Sequence, residues 1–205
     1  MTRARPELAH LDLAGTSGPW VDLGFSVEHD VLRVGSIDLR FVDGDRGLVG
    51  WGLRNVELHG HDDLDGVAST LVVDAPPAEA VTHPNGANVI DHVVLRTPDI
   101  DRTLAVLAEA GLELRRLREV PDSTYHQAFY RLGETILEVV GEPGRHDDAP
   151  SALWGLVCTV ADADAASSHA ADRLGAWKDA VQPGRRIATV RRSAGLTTAV
   201  ALMTA

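Results

Sequence analysis

The chain has 205 residues, 44% hydrophobic and 24% charged, so it is long enough to bury a substantial core and has ordinary globular composition. Its net charge of −11 disfavours nucleic acid and anionic membranes as partners. The single cysteine, Cys158, rules out an internal disulfide and suits a reducing cytoplasm. No apolar run approaches the roughly 18–20 residues that span a bilayer. The opening MTRARPELAHLD lacks the apolar stretch of a signal peptide, so a cytoplasmic location is expected.

Residues 1–6 are expected to fray. ELAHLDLAG (7–15) alternates like a strand, and TSGPW breaks the pattern. VLRVGSIDLRFV (31–42) reads as a strand bent at Gly35. DGDRG carries turn residues at hairpin spacing ahead of GLVGWGLRNV (47–56). Residues 57–88, rich in Asp, Pro, Gly and His, read as a long surface connector, and connectors of that length usually serve a purpose.

The central unit is 88–141. Ile90, His92 and Val94 are expected on one face of a strand, and Val93 and Leu95 on the other. Thr97 reads as an N-cap with Pro98 at the first helical position, and Gly111 as the stop. Strands follow at 114–120, 125–132 and 135–141, with Gly133 turning the last hairpin. Glu138 stands in the last strand, in the apolar run ILEVV. After the polar linker 141–152, LWGLVCTVADADAASSHAADRLGAW (153–177) repeats 90–114 at an offset that carries Asp99 to Asp162 and Asp101 to Asp164. RIATVRRSAGLTTAVALM (186–203) repeats 126–140.

The internal repeat is therefore of βαβββ units. LAHLDL (8–13) aligns with IDHVVL (90–95), placing His10 over His92. GLVGWGL (47–53) aligns with GETILEV (133–139), placing Gly52 over Glu138. Three units are expected: a degenerate N-terminal module (7–56), a central module (88–141) and a C-terminal module (152–203), with 57–87 as connector. Three half-modules leave one unpaired, which predicts a homodimer.

IDHVVLRTPDIDRTLAVL, YRLGETILEVVGEP and LWGLVCTVADAD resemble the vicinal oxygen chelate superfamily, which includes glyoxalase I, extradiol dioxygenases and bleomycin- and fosfomycin-resistance proteins. The resemblance covers most of 88–205. It implies an α+β fold in which paired βαβββ modules form a cupped, eight-stranded mixed sheet around a small-molecule site. It also implies metal ligands on the first and last strands of each module. Carried over, His92 and Glu138 take those positions in the central module, and Gly155 and Val200, which cannot ligate, take them in the C-terminal one. Pairing the N-terminal and central modules would instead gather His10, His92 and Glu138, a set suited to Fe or Mn.

The expected cofactor is a divalent metal (Fe, Mn, Ni or Zn), with no organic cofactor, and the resemblance to glyoxalase implies that Glu138 doubles as ligand and catalytic proton acceptor. Gln127, His126 and Arg186 are candidate substrate-binding residues. A core-histidine reading of His92 stands beside the ligand reading, as does a Glu138–Arg186 or Glu–His pair beside a Glu138 ligand. HGHDD (59–63) has metal-binding residue types but reads as a solvated loop, and Cys158 as core. The two functional readings are a metal-dependent lyase, isomerase or dioxygenase acting on an oxygen-rich or anionic molecule, and a metal-free protein that sequesters a drug-like ligand.

Overall fold

The computed structural model describes residues 4–45, 47–73 and 81–205. Its elements are β1 (Glu7–Ala14), α1 (Gly18–Val21), β2 (Val31–Val34), β3 (Ile37–Val42), β4 (Leu48–Arg54), β5 (Asp63–Leu64), β6 (Val67–Leu71), β7 (Ala87–Arg96), α2 (Ile100–Glu109), β8 (Leu114–Glu119), β9 (His126–Leu132), β10 (Thr135–Gly141), β11 (Ala152–Val160), α3 (Ala163–Ala170), β12 (Lys178–Asp179), β13 (Arg186–Thr189) and β14 (Ala199–Thr204). They form two mixed sheets with few helices. The larger sheet runs β12-β13-β14-β11-β7-β10-β9-β8 and the smaller β2-β3-β1-β4-β6-β5.

The larger sheet joins the central and C-terminal modules through the antiparallel pair β7–β11. In each module the first and last strands run parallel, β7 with β10 and β11 with β14. Local chemistry sets the helix between them. Asp99, not Thr97, is the N-cap of α2: its side chain accepts from Arg102 N, while the Thr97 hydroxyl accepts from Asp99 N. Asp162 caps α3 in the same way, as the repeat requires. Gly111 supplies the positive φ of +86° just past the end of α2.

The smaller sheet changes the reading of the N-terminal segment. VLRVGSIDLRFV is two strands, a hairpin turned at Gly35 (φ +62°) and clamped by Arg33 Nε donating to Asp38 Oδ1 at 2.7 Å. DGDRG is no hairpin turn, because β3 and β4 do not pair; β1 lies between them, parallel to β3 and antiparallel to β4. Arg46 of that segment, and residues 74–80 of the expected connector, lie outside the described residues. Two strands, β5 and β6, fall within 57–87, so the unit does not end at 56. β6 runs parallel to β4, as β14 does to β11.

The segment 7–71 is thus not a lone half-module but a reduced copy of the whole larger sheet. Among the described residues no half-module is left unpaired, so that ground for expecting a homodimer falls away. Residues 1–3 lie outside the described residues, and the expected fraying does not extend to Arg5 and Pro6. The Arg5 carbonyl accepts from Asn55 Nδ2 and the Pro6 carbonyl from Gly133 N.

One continuous apolar core joins the sheets, from Leu8 and Leu11 in the smaller to Ile90, Leu137 and Leu202 in the larger, with Trp20, Ile100, Leu107 and Ala166 of the helices packed into it. A polar hub fastens the sheets as well. Asp65, at the β5–β6 turn, accepts from Arg102 Nε at 2.6 Å and from the Thr103 and Ser151 hydroxyls at 2.5 Å each. Each sheet therefore buries one face and turns the other outward.

Candidate active site

The outward face of the larger sheet is a cup of about 450 Å³ lined by His92, Val94, Arg96, Tyr125, Glu138, Val140, Trp154, Leu156, Val157, Ile187, Thr189 and Ala199–Ala201. Most of this wall is apolar. His92 and Glu138 meet at the floor, and a backbone irregularity puts His92 there.

Against β11, β7 pairs Ile90 with Cys158 and His92 with Val157, so Asp91 is an extra residue, a one-residue bulge. The bulge breaks the simple alternation. Ile90 goes into the core with Val93 and Leu95, while Asp91 and His92 both stay on the cup side with Val94 and Arg96. Ile90 therefore does not share a face with His92.

The same bulge recurs in every first strand. Ala9 is the extra residue of β1, Val49 of β4 and Trp154 of β11. The residue after each bulge is His10, Gly50, His92 or Gly155. Two residues further on, the register with the parallel last strand gives Arg40, Thr70, Glu138 and Ala201. The counterpart of Glu138 in the N-terminal sheet is thus Arg40 rather than Gly52. In the C-terminal module it is Ala201 rather than Val200. Neither change adds a ligand.

At the floor, the His92 Nδ1 position lies 2.8 Å from Asp91 Oδ2, and Asp91 Oδ1 accepts from Arg185 Nη1 at 2.8 Å. The aspartate is partly buried, which alone would raise its pKa, but His92 and Arg185 outweigh burial and hold it below the usual value. The Asp91 carboxylate can only accept, so Nδ1 donates to it, and the other ring nitrogen, Nε2, points at Glu138 Oε2, 3.9 Å away. That gap is too long for a hydrogen bond. Glu138 is held from the other side by Gln127 Nε2, which donates to Oε1 at 2.6 Å. The Gln127 Oε1 atom is buried and without a protein partner. Two polar atoms, His92 Nε2 and Glu138 Oε2, each anchored from behind, therefore converge on one space.

Gln127 stands on the cup side, next to Glu138. His126 alternates to the other side of β9. Arg186 also turns away, its guanidinium 5.9 Å from the Trp177 ring, so it does not pair with Glu138. The arginine that reaches the floor is its neighbour Arg185, from the turn before β13. His10 lies in the other sheet and does not join His92 and Glu138. It is buried flat against Gly52, where a Cβ would sit 2.0 Å from the ring. Burial and the nearby Arg40 lower its pKa against the opposing pull of Asp12 and Asp38.

His59 and His61 line a separate hollow beside Arg102 and Glu109. Among the described residues no three His, Cys, Asp or Glu side chains form a metal-holding group. Cys158 is fully buried in the core, which pushes its thiol up to about 12. Sequence reasoning missed Asp91; the Arg185–Arg186 pair reads from sequence as an anion clamp or a solvated pair, and Arg185 is the member that reaches Asp91. Asp91 beside a candidate ligand was the available signal, but alternation placed it on the wrong face.

The family model of the Glyoxalase/Bleomycin resistance protein/Dioxygenase superfamily matches residues 89–196, just over half of the chain. The chain belongs to this superfamily. Among solved structures, the methylmalonyl-CoA epimerase of Mycobacterium tuberculosis is similar at 15% identity, over 58% of this chain and 89% of that one, with a TM-score of 0.46. A Streptomyces coelicolor methylmalonyl-CoA epimerase variant bound to 2-nitronate-propionyl-CoA is similar at 20% identity, over 58% and 95%, TM-score 0.46. A xylose isomerase-like TIM barrel/4-hydroxyphenylpyruvate dioxygenase fusion protein matches all of this chain and 50% of its own, at 12% identity and TM-score 0.62. That last likeness is one of fold, and it spans both sheets of this superfamily member. No curated protein sequence matches the chain.

Proposed function

We propose that the cup is the active site of a small-molecule enzyme of isomerase, lyase or dioxygenase type, and that His92 and Glu138 work as a pair at its floor on an oxygen-bearing end of the substrate. The observation that carries this reading is the convergence of His92 Nε2 and Glu138 Oε2 on one space at 3.9 Å, inside a cup whose wall is mostly apolar. Burying polar groups there is unfavourable unless something pairs with them. A substrate hydroxyl would donate to His92 Nε2. Glu138 Oε2, left free while Gln127 holds Oε1, would accept a proton from substrate carbon or oxygen.

A divalent metal (Fe, Mn, Ni or Zn) fits the same two atoms. His92 and Glu138 would hold it, with Asp91 fixing the imidazole as a carboxylate behind a ligating histidine does. When bound, the metal supplies polarisation of substrate oxygens. The remaining positions are Gly155 and Ala201, so the chain offers two ligands of a four-ligand set and the substrate or water would complete it.

A second reading, metal-free sequestration, is favoured by the C-terminal half of the cup, where Val157, Ala199, Val200 and Ala201 make an apolar wall. Metal analysis separates the two. Purification without an affinity tag, followed by reconstitution, is expected to give a metal stoichiometry that falls in Glu138→Gln. An unchanged stoichiometry would refute the metal-dependent reading.

A further inference from the structure

We propose that the cup is specific for a carboxylate-bearing ligand with an apolar middle, its carboxylate held at the mouth by Arg96 and Trp154 while its other end meets His92 and Glu138. The proposal rests on the reading of the cup as the ligand site and adds the substrate class.

Arg96 lies on the same strand and the same side as His92, four residues on, so their backbones are about 13 Å apart at roughly 3.3 Å per residue. It forms no ion pair among the described residues, in a chain of net charge −11 where carboxylates outnumber the cations. Its guanidinium lies 6.0 Å from the centre of the Trp154 ring. Trp154 occupies the bulge position that Asp91 occupies in the central module, and it is 51% exposed. A half-exposed indole beside a guanidinium that no described carboxylate pairs with offers a flat apolar surface and a bidentate donor to a ligand.

Between mouth and floor the wall is Val94, Val140, Val157 and Ala199, with no charged side chain. That wall selects a hydrocarbon or aromatic body over a polyhydroxylated one. A smaller hollow of about 250 Å³ shares Arg96, Tyr125 and Val140 with the cup and adds Arg145 and Glu142. Glu142 is engaged by Thr124 and by Arg145 at 3.5 Å, which leaves Arg96 as the cation without a carboxylate there. The other arginine of the cup region, Arg185, is already committed to Asp91 at 2.8 Å.

The test uses the full chain and three probes: hexanoate, 1-hexanol and acetate, each titrated while ¹H–¹⁵N spectra are recorded. Hexanoate is expected to shift cup resonances and to bind about ten-fold more tightly than hexanol, which lacks the charge, and than acetate, which lacks the reach. Arg96→Gln should remove the preference for hexanoate over hexanol, and Arg96→Lys should restore part of it. Arg96 is exposed, so neither change should alter the rest of the spectrum. Equal binding of hexanoate and hexanol, or a preference that survives Arg96→Gln, would overturn the proposal while leaving the cup as a ligand site. If none of the probes moves a cup resonance, the proposal and the reading of the cup fall together.

Discussion

Arg185 and Asp91 meet at 2.8 Å although 94 residues separate them, and the contact ties the C-terminal module to the histidine of the central one. The C-terminal module has Gly155 and Ala201 at its own ligand positions, yet through Arg185 it fixes the group that holds His92. Asp91→Asn would leave Arg185 facing a neutral amide and would free the imidazole to rotate. If the cup works as proposed, this substitution should weaken metal binding or lower turnover by about 10–100-fold, with Glu138 untouched. Long-range ¹⁵N spectra of the His92 ring provide a direct readout. The wild type should carry its proton on Nδ1, and Asp91→Asn should lose that preference. A proton on Nε2 in the wild type would refute the arrangement.

Gly52 is required by its neighbour. A Cβ there would lie 2.0 Å from the His10 ring, which is itself buried. Gly52→Ala should therefore destabilise the fold by about 1–3 kcal/mol, as overpacking does. Adding His10→Ala should recover much of the loss, and chemical denaturation of the single and double variants measures the coupling. A fully additive double variant would show that the two side chains do not compete for the same space.

The Asp65 hub predicts a stability effect far from the cup. Asp65→Asn keeps a residue type that tolerates the positive φ of +55° but removes the charge that Arg102, Thr103 and Ser151 share. The expected loss is about 1–3 kcal/mol, read as a lower denaturation midpoint. Ligand binding in the cup should be retained at temperatures where the variant is folded.

Stability should fall on the acid side. Burial lowers the pKa of His83, against a smaller opposing effect of its bond to the Arg33 carbonyl, and burial with Arg40 lowers that of His10. In the unfolded chain both titrate near 6.5. Above that value neither state binds the proton, and the contribution is intact. Below it the unfolded state protonates first, so stability declines as the pH drops through 6.5 toward the depressed folded values. Asp91 adds a further loss below 3.8. Denaturation midpoints at pH 8 and pH 5 check this. His83→Gln, which keeps a donor and an acceptor, should flatten part of the difference.

Much of this fold is legible in the sequence because the central and C-terminal modules keep the same landmarks, Asp99 repeated as Asp162 ahead of each helix and Gly111 past the end of α2, although Asp99 rather than Thr97 is the cap. Those local rules survive any drift in the core. The N-terminal sheet is harder to read because its helix has shrunk to Gly18–Val21 and its second half to the strands β4, β5 and β6. With the helical landmark gone, similarity of apolar runs alone placed Gly52 where register places Arg40. The site was half legible. His92, Glu138 and Gln127 come together, but Asp91 reaches the cup only through a bulge, and period-two alternation cannot show a bulge. His10 does stand at the position equivalent to His92, but in the smaller sheet, where its ring is buried against Gly52.

The central claim is that His92 and Glu138 face a common occupant. The most direct measurement is metal content after reconstitution with Fe, Mn, Ni or Zn, in the wild type and in His92→Ala, Glu138→Gln and His10→Ala. The account predicts near-stoichiometric metal in the wild type and in His10→Ala, and its loss in His92→Ala and Glu138→Gln. Metal retained by both His92→Ala and Glu138→Gln, or lost in His10→Ala alone, would contradict it. A wild type that takes up none of the four metals would contradict the metal-assisted form and leave sequestration as the reading of the cup.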